Sequence, residues 1–235
     1  MALAGLSVTW LGHGTFLMTS PGGRRLLIDP WLDGNPSCPP EYRTSVGPVD
    51  LILVTHGHFD HVHDAAAVAK ATGATVVGIF ELCDWLGRKG VTTASGMNKG
   101  GTQEQCGIRI TMVDARHSSS YVDDGVVTYL GEAAGFVLTF ENALTVYFAG
   151  DTAVFGDMAL IRDLYAPTVA FLPIGDHFTM DPAAAAKATA LLGVKTVIPM
   201  HYGTFPVLTG RPAQLRELVA PLGVDVLELV PGIPI

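Results

Sequence analysis

Short apolar runs bounded by turn-forming residues alternate with helical segments along the chain. The runs are rich in Val, Ile, Leu, Thr and Phe, and Gly, Pro, Asp and Asn separate them, a pattern typical of strands. We predict strands at residues 7–10, 16–19, 26–28, 51–55, 75–78, 108–113, 135–140, 145–148, 169–172, 196–199 and 226–229. The alternation of such strands with helices predicts a layered α/β fold.

Helix boundaries are marked by capping residues. Asp64 is expected to cap a helix over residues 65–71 that stops before Gly73, and Asp181-Pro182 is expected to start a helix that ends at Gly193. Further helices are predicted at residues 80–88, 157–165 and 212–222.

Composition narrows the class of protein. The 235 residues, 49% hydrophobic and only 15% charged, fit one folded domain over residues 1–235 with a large core. No apolar stretch is long enough to span a membrane, and no signal peptide is visible, so a cytoplasmic location is expected. The net charge of −8 makes nucleic acid a poor partner, whereas the apolar content permits a homo-oligomer.

Several predicted strands end in a histidine or an aspartate. Asp29, His56, His117, Asp151 and His201 each come at or shortly after such an end. Since strand ends form a common rim in α/β folds, where ligand sites usually lie, these side chains can converge.

The segment His56-Gly57-His58-Phe59-Asp60-His61 carries the strongest chemical signal. In an extended backbone His56 and His58 point to the same side, and a turn into a helix can present Asp60 and His61 to a second ion. Imidazole and carboxylate are common metal ligands, so one loop can supply two metals. A solvated histidine-rich loop is the alternative, and the density of ligands disfavours it.

More ligands are needed for a dinuclear site than this loop offers. His117, Asp151 and His201 are the best candidates, and Asp151 has two oxygens with which to bridge two ions. His13, in a glycine-flanked turn, could line the substrate pocket. His177 is a further pocket candidate, although a purely structural position is the simpler interpretation for it.

Together these motifs resemble the metallo-β-lactamase superfamily, whose hallmark is the HxHxDH loop. The segments around Trp10–Phe16, Asp29–Leu32, Met97–Gly101, Phe148–Thr152, Pro173–Asp176 and Ile198–Pro206 resemble the UPF0173 group of metal-dependent hydrolases, related to ascorbate-phosphate lactonase-like enzymes. At position 177 the chain has His where that pattern leads us to expect Asn.

The resemblance implies a four-layer αββα sandwich with the site at one edge of the two sheets. It also implies a ligand set: His56, His58 and His117 on one metal, Asp60, His61 and His201 on the other, and Asp151 bridging both.

The expected activity is hydrolysis of an ester, lactone or phosphoester of a small molecule by water activated between two divalent cations. Asp60 would orient that water as well as bind metal. Because all the ligands are N or O donors, zinc and manganese both fit, and iron is possible. Asp29 and Asp64 are candidates to accept hydrogen bonds from ligating imidazoles.

Two other functions are compatible with the same ligands. One is an iron-dependent oxidoreductase of the sulfur dioxygenase type, and the other is a non-catalytic, metal-binding regulatory protein. Separately, the loop Met97–Gly101 could hold an anion on its backbone amides or be a plain connection.

Overall fold

The computed structural model describes residues 3–235, and its first β-sheet has six strands in the order β1-β2-β3-β4-β5-β6. These strands are β1 (Ser7–Trp10), β2 (Phe16–Thr19), β3 (Arg25–Ile28), β4 (Leu51–Leu53), β5 (Thr75–Ile79) and β6 (Ala94–Met97). β1, β2 and β3 pair antiparallel, and the pairs from β3 to β6 are parallel. The parallel pairs bring the ends of β3 and β4 together at one rim.

The later strands form a second sheet and a separate hairpin. They are β7 (Thr102–Gln105), β8 (Ile108–Asp114), β9 (Ser120–Asp123), β10 (Val126–Tyr129), β11 (Ala134–Thr139), β12 (Thr145–Phe148), β13 (Val169–Pro173), β14 (Thr196–Met200) and β15 (Asp225–Val226). The second sheet has seven strands in the order β15-β14-β13-β12-β11-β8-β7, and within residues 3–235 β9 pairs only with β10.

Helices cover the outer faces of both sheets. They are α1 (Pro40–Arg43), α2 (Phe59–Val62), α3 (Ala65–Thr72), α4 (Phe80–Arg88), α5 (Met158–Tyr165), α6 (Pro182–Leu192) and α7 (Pro212–Val219), with a 3-10 turn at Ala220–Leu222. α3 and α4 contact the first sheet, α6 and α7 contact the second, and α5 packs on α6.

The inner faces of the two sheets pack on each other through fully buried aromatic side chains. Phe16 of β2 lies edge-on to Phe148 of β12 and Phe171 of β13, with ring centroids 5.7 and 5.0 Å apart. The layers are therefore helix, sheet, sheet, helix, which confirms the predicted αββα sandwich.

The structure differs from the sequence-based prediction mainly where strands are polar or solvent-exposed. β6, β7, β9 and β10 were not predicted. β7 reads Thr-Gln-Glu-Gln at the edge of its sheet, and β10 is largely exposed, so neither has the buried apolar pattern that marks a strand. The last strand is also shorter and earlier than the predicted residues 226–229.

The two predicted helix caps have different outcomes. The Asp181 carboxylate accepts a hydrogen bond from the Ala184 amide at 2.7 Å, as expected for a cap. Asp64 precedes α3, but its carboxylate instead accepts from the Leu32 and Asp33 amides at 2.6 and 3.1 Å. It therefore ties the loop after β3 to α3.

Within residues 3–235, none of the helices is both long and apolar enough to cross a lipid bilayer.

Candidate metal centre

The predicted ligands meet where strand ends from both sheets come together. His56 follows β4 of the first sheet, whereas His117, Asp151 and His201 follow β8, β12 and β14 of the second. The remaining members lie at the start of α2. We refer to His56, His58, Asp60, His61, His117, Asp151 and His201 as the histidine–aspartate cluster.

The first half of the cluster is a group of three imidazoles. Nδ1 of His58 lies 3.1 Å from Nε2 of His56 and 3.2 Å from Nε2 of His117. Donor atoms bound tetrahedrally to one zinc ion at about 2.1 Å lie about 3.4 Å apart. The spacing of these nitrogens is therefore close to that of ligands around a single cation.

The second half combines a carboxylate with two imidazoles. Oδ2 of Asp60 lies 3.9 Å from Nε2 of His61 and 3.8 Å from Nε2 of His201. Both histidines are buried, while the Asp60 side chain keeps 13% of its surface exposed. A group at this position can thus contact both a buried cation and a molecule entering from solvent.

Asp151 lies between the two halves. Its Oδ2 is 3.9 Å from Nε2 of His56 and 3.7 Å from Nε2 of His117 on one side. On the other side the same oxygen is 3.4 Å from Nε2 of His61 and 3.0 Å from Nε2 of His201. The Asp151 carboxylate is therefore close to imidazoles of both halves of the cluster.

Unpaired buried atoms show that the cluster is suited to cations. Nε2 of His61, Nε2 of His201 and Oδ1 of Asp151 are buried, and none makes a well-aligned hydrogen bond. Buried polar atoms without partners are costly and uncommon in folded proteins. Cations placed among these N and O donors would satisfy them, so the residues present fit a metal centre.

Asp29 controls the orientation of two imidazoles in the cluster. Fully buried, it accepts hydrogen bonds from the Thr55 amide and hydroxyl, both at 2.7 Å, and from Nδ1 of His61 at 2.8 Å. Since the Thr55 hydroxyl donates its hydrogen to Asp29, its oxygen accepts from Nδ1 of His56 at 3.0 Å. Nδ1 of both imidazoles is thereby held by hydrogen bonds on the side away from the cluster, and Nε2 of both faces the cluster, where a cation could bind it.

Of the two acidic residues predicted to support the ligands, Asp29 does so and Asp64 does not, since the Asp64 carboxylate is bonded to backbone amides. Sequence reasoning missed Thr55. The only available signal was its position directly before the HxHxDH loop.

The electrostatics of the cluster reflect burial opposed by close charges. Burial lowers the pKa of His201, but the adjacent Asp151 carboxylate outweighs it and raises that pKa to about 9. Burial would raise the pKa of Asp60, yet His61 and His13 hold it well below the usual range. Asp60 is therefore an ionised acceptor. For His13, burial and the neighbouring His201 lower the pKa to about 4.

The two predicted pocket histidines occupy very different places. His13 is fully buried, with its Nε2 2.9 Å from Oδ2 of Asp60, rather than on an open pocket surface. His177 is exposed, lies against the ring of Phe178 and is separate from the cluster.

Tight packing holds the loop that carries the first histidines. A Cβ on Gly57 would lie 2.6 Å from Cδ1 of Leu130, so only glycine fits against that side chain. The Gly57 amide also donates to the Ser119 hydroxyl at 3.0 Å, and Ser118 Oγ lies 3.3 Å from Nε2 of His58. The serines after His117 therefore support the loop.

The Met97–Gly101 loop has its amides engaged within the protein. The amides of Lys99, Gly100 and Gly101 donate to the Asn98 side chain, the Met112 carbonyl and the Asn98 carbonyl, respectively. The Lys99 ammonium is paired with carboxylates of Asp114 and Glu132. The engagement of these three amides favours a plain connection over an anion site.

Aromatic side chains border the second half of the cluster. Trp31 stacks on Phe205 with centroids 5.9 Å apart and meets Phe59 edge-on at 5.5 Å. Phe59, which precedes Asp60, is 53% exposed. The surface that faces solvent beside Asp60 is therefore apolar.

Comparison with known proteins identifies the family of this chain and agrees with a metal centre at the cluster. The model of the β-lactamase superfamily domain matches residues 24–202. A UPF0173 metal-dependent hydrolase of Roseiflexus castenholzii is 53% identical over 232 residues, which cover 96% of this chain and 95% of that protein. A UPF0173 metal-dependent hydrolase of Koribacter versatilis is 53% identical over 232 residues, covering 99% and 98% of the two chains. The chain belongs to the UPF0173 metal-dependent hydrolase family.

The fold of this UPF0173 protein is also that of a solved structure. Igni18, a metallo hydrolase from the archaeon Ignicoccus hospitalis, superposes with a TM-score of 0.86 at 36% identity, covering 98% of this chain and 97% of its own. The prediction of a metal-dependent hydrolase of the metallo-β-lactamase superfamily is confirmed.

Proposed function

We propose that this UPF0173 protein uses two divalent cations, zinc or manganese, to hydrolyse an ester, lactone or phosphoester bond of a small molecule. The observation that carries the proposal is the convergence of the histidine–aspartate cluster, with Asp151 Oδ2 within 3.9 Å of imidazoles from both halves. His56, His58 and His117 would hold one cation, Asp60, His61 and His201 the other, and Asp151 both.

When bound, such a pair of cations polarises a substrate oxygen and lowers the pKa of water towards about 7. The chain supplies the orientation. Asp29 and Thr55 hold Nδ1 of His61 and Nδ1 of His56, so that Nε2 of each ring is directed into the cluster. Asp60 is the more exposed of the two cluster carboxylates, at 13% against 3% for Asp151, so it is placed to accept a hydrogen bond from the attacking water.

The surroundings of the cluster support a substrate with an apolar portion and little negative charge. Phe59 and Phe205 offer apolar surface beside Asp60. Arg116, which is adjacent to His117 in sequence, is already paired with Asp114 at 3.0 Å, and Lys99 is paired with Asp114 and Glu132. No free basic group among these residues is available to neutralise a polyphosphate.

The test is hydrolysis of chromogenic esters, lactones and phosphodiesters by metal-free protein reloaded with zinc or manganese. We expect turnover that a chelator abolishes, and two metals per chain by elemental analysis. His61→Ala should lose one metal and most of the turnover. His63→Ala removes an exposed histidine outside the cluster two residues away and should retain both.

Other results would contradict the proposal. Equal turnover and two bound metals in His61→Ala would show that the cluster is not the centre. Oxygen uptake with a persulfide substrate, without hydrolysis of any ester, would show an iron-dependent oxidoreductase. Two bound metals without turnover on any substrate of the panel would favour a regulatory protein.

A further inference from the structure

His13 touches the second half of the cluster from the buried side. Its ring is 0% exposed, and its centroid lies 3.8 Å from that of His201. Its Nε2 lies 2.9 Å from Oδ2 of Asp60, closer than either cluster imidazole comes to that oxygen. His13 is therefore in contact with the ligands, although the proposed function gives it no role.

The hydrogen-bond partners of His13 define its tautomer. An ionised Asp60 carboxylate only accepts hydrogen bonds, so Nε2 of His13 carries the hydrogen. In a neutral imidazole Nδ1 is then an acceptor, and it receives the hydrogen of the Thr204 hydroxyl at 3.0 Å. The bonds run in one direction, from Thr204 through His13 to Asp60.

The hydrogen bonds favour His13 as a support rather than a ligand. Both of its ring nitrogens are engaged, by Asp60 and by Thr204, whereas Nε2 of His61 and Nε2 of His201 make no well-aligned hydrogen bond. Its donor atom nevertheless lies within 4.8 Å of those of Asp60, His61 and His201, so an experiment must separate a support from a ligand. A donor at 2.9 Å restricts rotation of the Asp60 carboxylate, as neighbours of metal ligands commonly do.

The backbone of His13 holds a second ligand. Its carbonyl accepts from the His201 amide at 3.1 Å and from the Trp10 indole at 2.9 Å. His13 and His201 both have left-handed φ values of about 55°. Such conformations cost free energy for residues other than glycine and are typically retained where surrounding structure requires them.

We propose that the imidazole of His13 is a positioning group that holds the Asp60 carboxylate ready to bind the second cation, while the His13 carbonyl anchors the backbone of His201. This inference rests on the proposed function, since it assigns a role at one of the two proposed metal subsites. His13 thus connects Asp60 of α2, which follows β4 of the first sheet, with His201, which follows β14 of the second sheet.

The experiment is calorimetric titration of metal-free protein with zinc, which separates the affinities of the two subsites. His13→Ala should weaken one zinc by about 10- to 100-fold, the usual effect of removing a partner of a metal ligand, and leave the other unchanged. Thr204→Val should weaken the same zinc by less. His13→Gln keeps a side-chain N–H donor and should recover part of the lost affinity. His63→Ala is the control.

Folding is checked separately by thermal unfolding of each metal-free variant, followed by circular dichroism. Thr204→Val and His13→Gln remove less volume than His13→Ala and provide the test if that variant unfolds. The absorption spectrum of the cobalt-loaded protein distinguishes a ligand from a support. The spectrum of His13→Gln should keep the wild-type band positions, because the set of ligands is unchanged.

Failure of the inference differs from failure of the proposed function. Two zinc ions bound by His13→Ala with wild-type affinities would overturn the positioning role and leave the metal centre intact. Shifted cobalt bands in His13→Gln with no recovery of affinity would show His13 to be a ligand and also overturn it. Fewer than two zinc ions in the wild type would overturn both.

Discussion

Gly14→Ala tests how tightly the second half of the cluster is packed. A Cβ at this position would lie 2.7 Å from Cε1 and 3.2 Å from Nδ1 of His61. Ordinary carbon–carbon contacts are about 3.5 Å or longer, so the ring must move by about 0.8 Å. The backbone of Gly14 is not left-handed, and the effect is therefore steric rather than conformational.

The crowded edge of the ring is the one that bonds Asp29. Displacing it by about 0.8 Å is enough to disrupt a hydrogen bond of 2.8 Å between Nδ1 and Oδ2. Hydrogen bonds to charged groups contribute about 1.5–3 kcal/mol. At about 1.4 kcal/mol for each factor of ten, zinc affinity at the Asp60–His61–His201 subsite should fall by roughly 10- to 150-fold.

Calorimetric titration of metal-free Gly14→Ala with zinc measures this loss, and hydrolysis of the best ester substrate should fall with it. Gly156→Ala is the matched control, because its Cβ would meet nothing within 4 Å. Two zinc ions bound by Gly14→Ala with unchanged affinity would refute the argument that His61 has no room to move.

Three further variants or reactions test other parts of the structure. Asp29→Asn replaces the carboxylate that accepts from Thr55 and His61 with an amide, which offers them a donor or a weaker acceptor. Calorimetry should therefore show weaker zinc binding at both subsites. Weakening at only one subsite would contradict the shared role of Asp29. Burial raises the pKa of the Cys83 thiol to about 11, so this thiol should react slowly with iodoacetamide at pH 8. Mass spectrometry should show that the partly exposed Cys106 is modified before Cys83. Equal rates of modification of the two thiols would contradict the burial of Cys83. Asp181→Ala removes the cap of α6 and should lower the free energy of unfolding by about 0.5–2 kcal/mol in urea, with two zinc ions still bound; an unchanged midpoint would show that the cap contributes nothing.

The sequence was sufficient to predict the layers of the fold and the members of the cluster. Apolar runs such as those of β13 and β14, which are buried along their whole length, predict a layered α/β fold, and the four-layer αββα order was what the resemblance to the metallo-β-lactamase superfamily implied. The cluster could be predicted because four of its members lie within six residues of sequence. The others follow strands that end at the same rim.

Polar and exposed strands left no comparable signal. The valines of β9 and β10 are more than 60% exposed, so no alternation between core and solvent marks the hairpin in sequence. Pairing between the two strands, rather than burial, defines them.

Only the tertiary structure decided which groups support the ligands. Asp64 lies three residues from His61, yet its carboxylate bonds the Leu32 and Asp33 amides, whereas Asp29, 32 residues away, reaches the imidazole. Parallel pairing of β3 with β4 brings Asp29 beside Thr55, and this register cannot be read from the local sequence. His13 meets Asp60 across 47 residues and Thr204 across 191, because hydrogen bonds depend on distance in space rather than on separation along the chain.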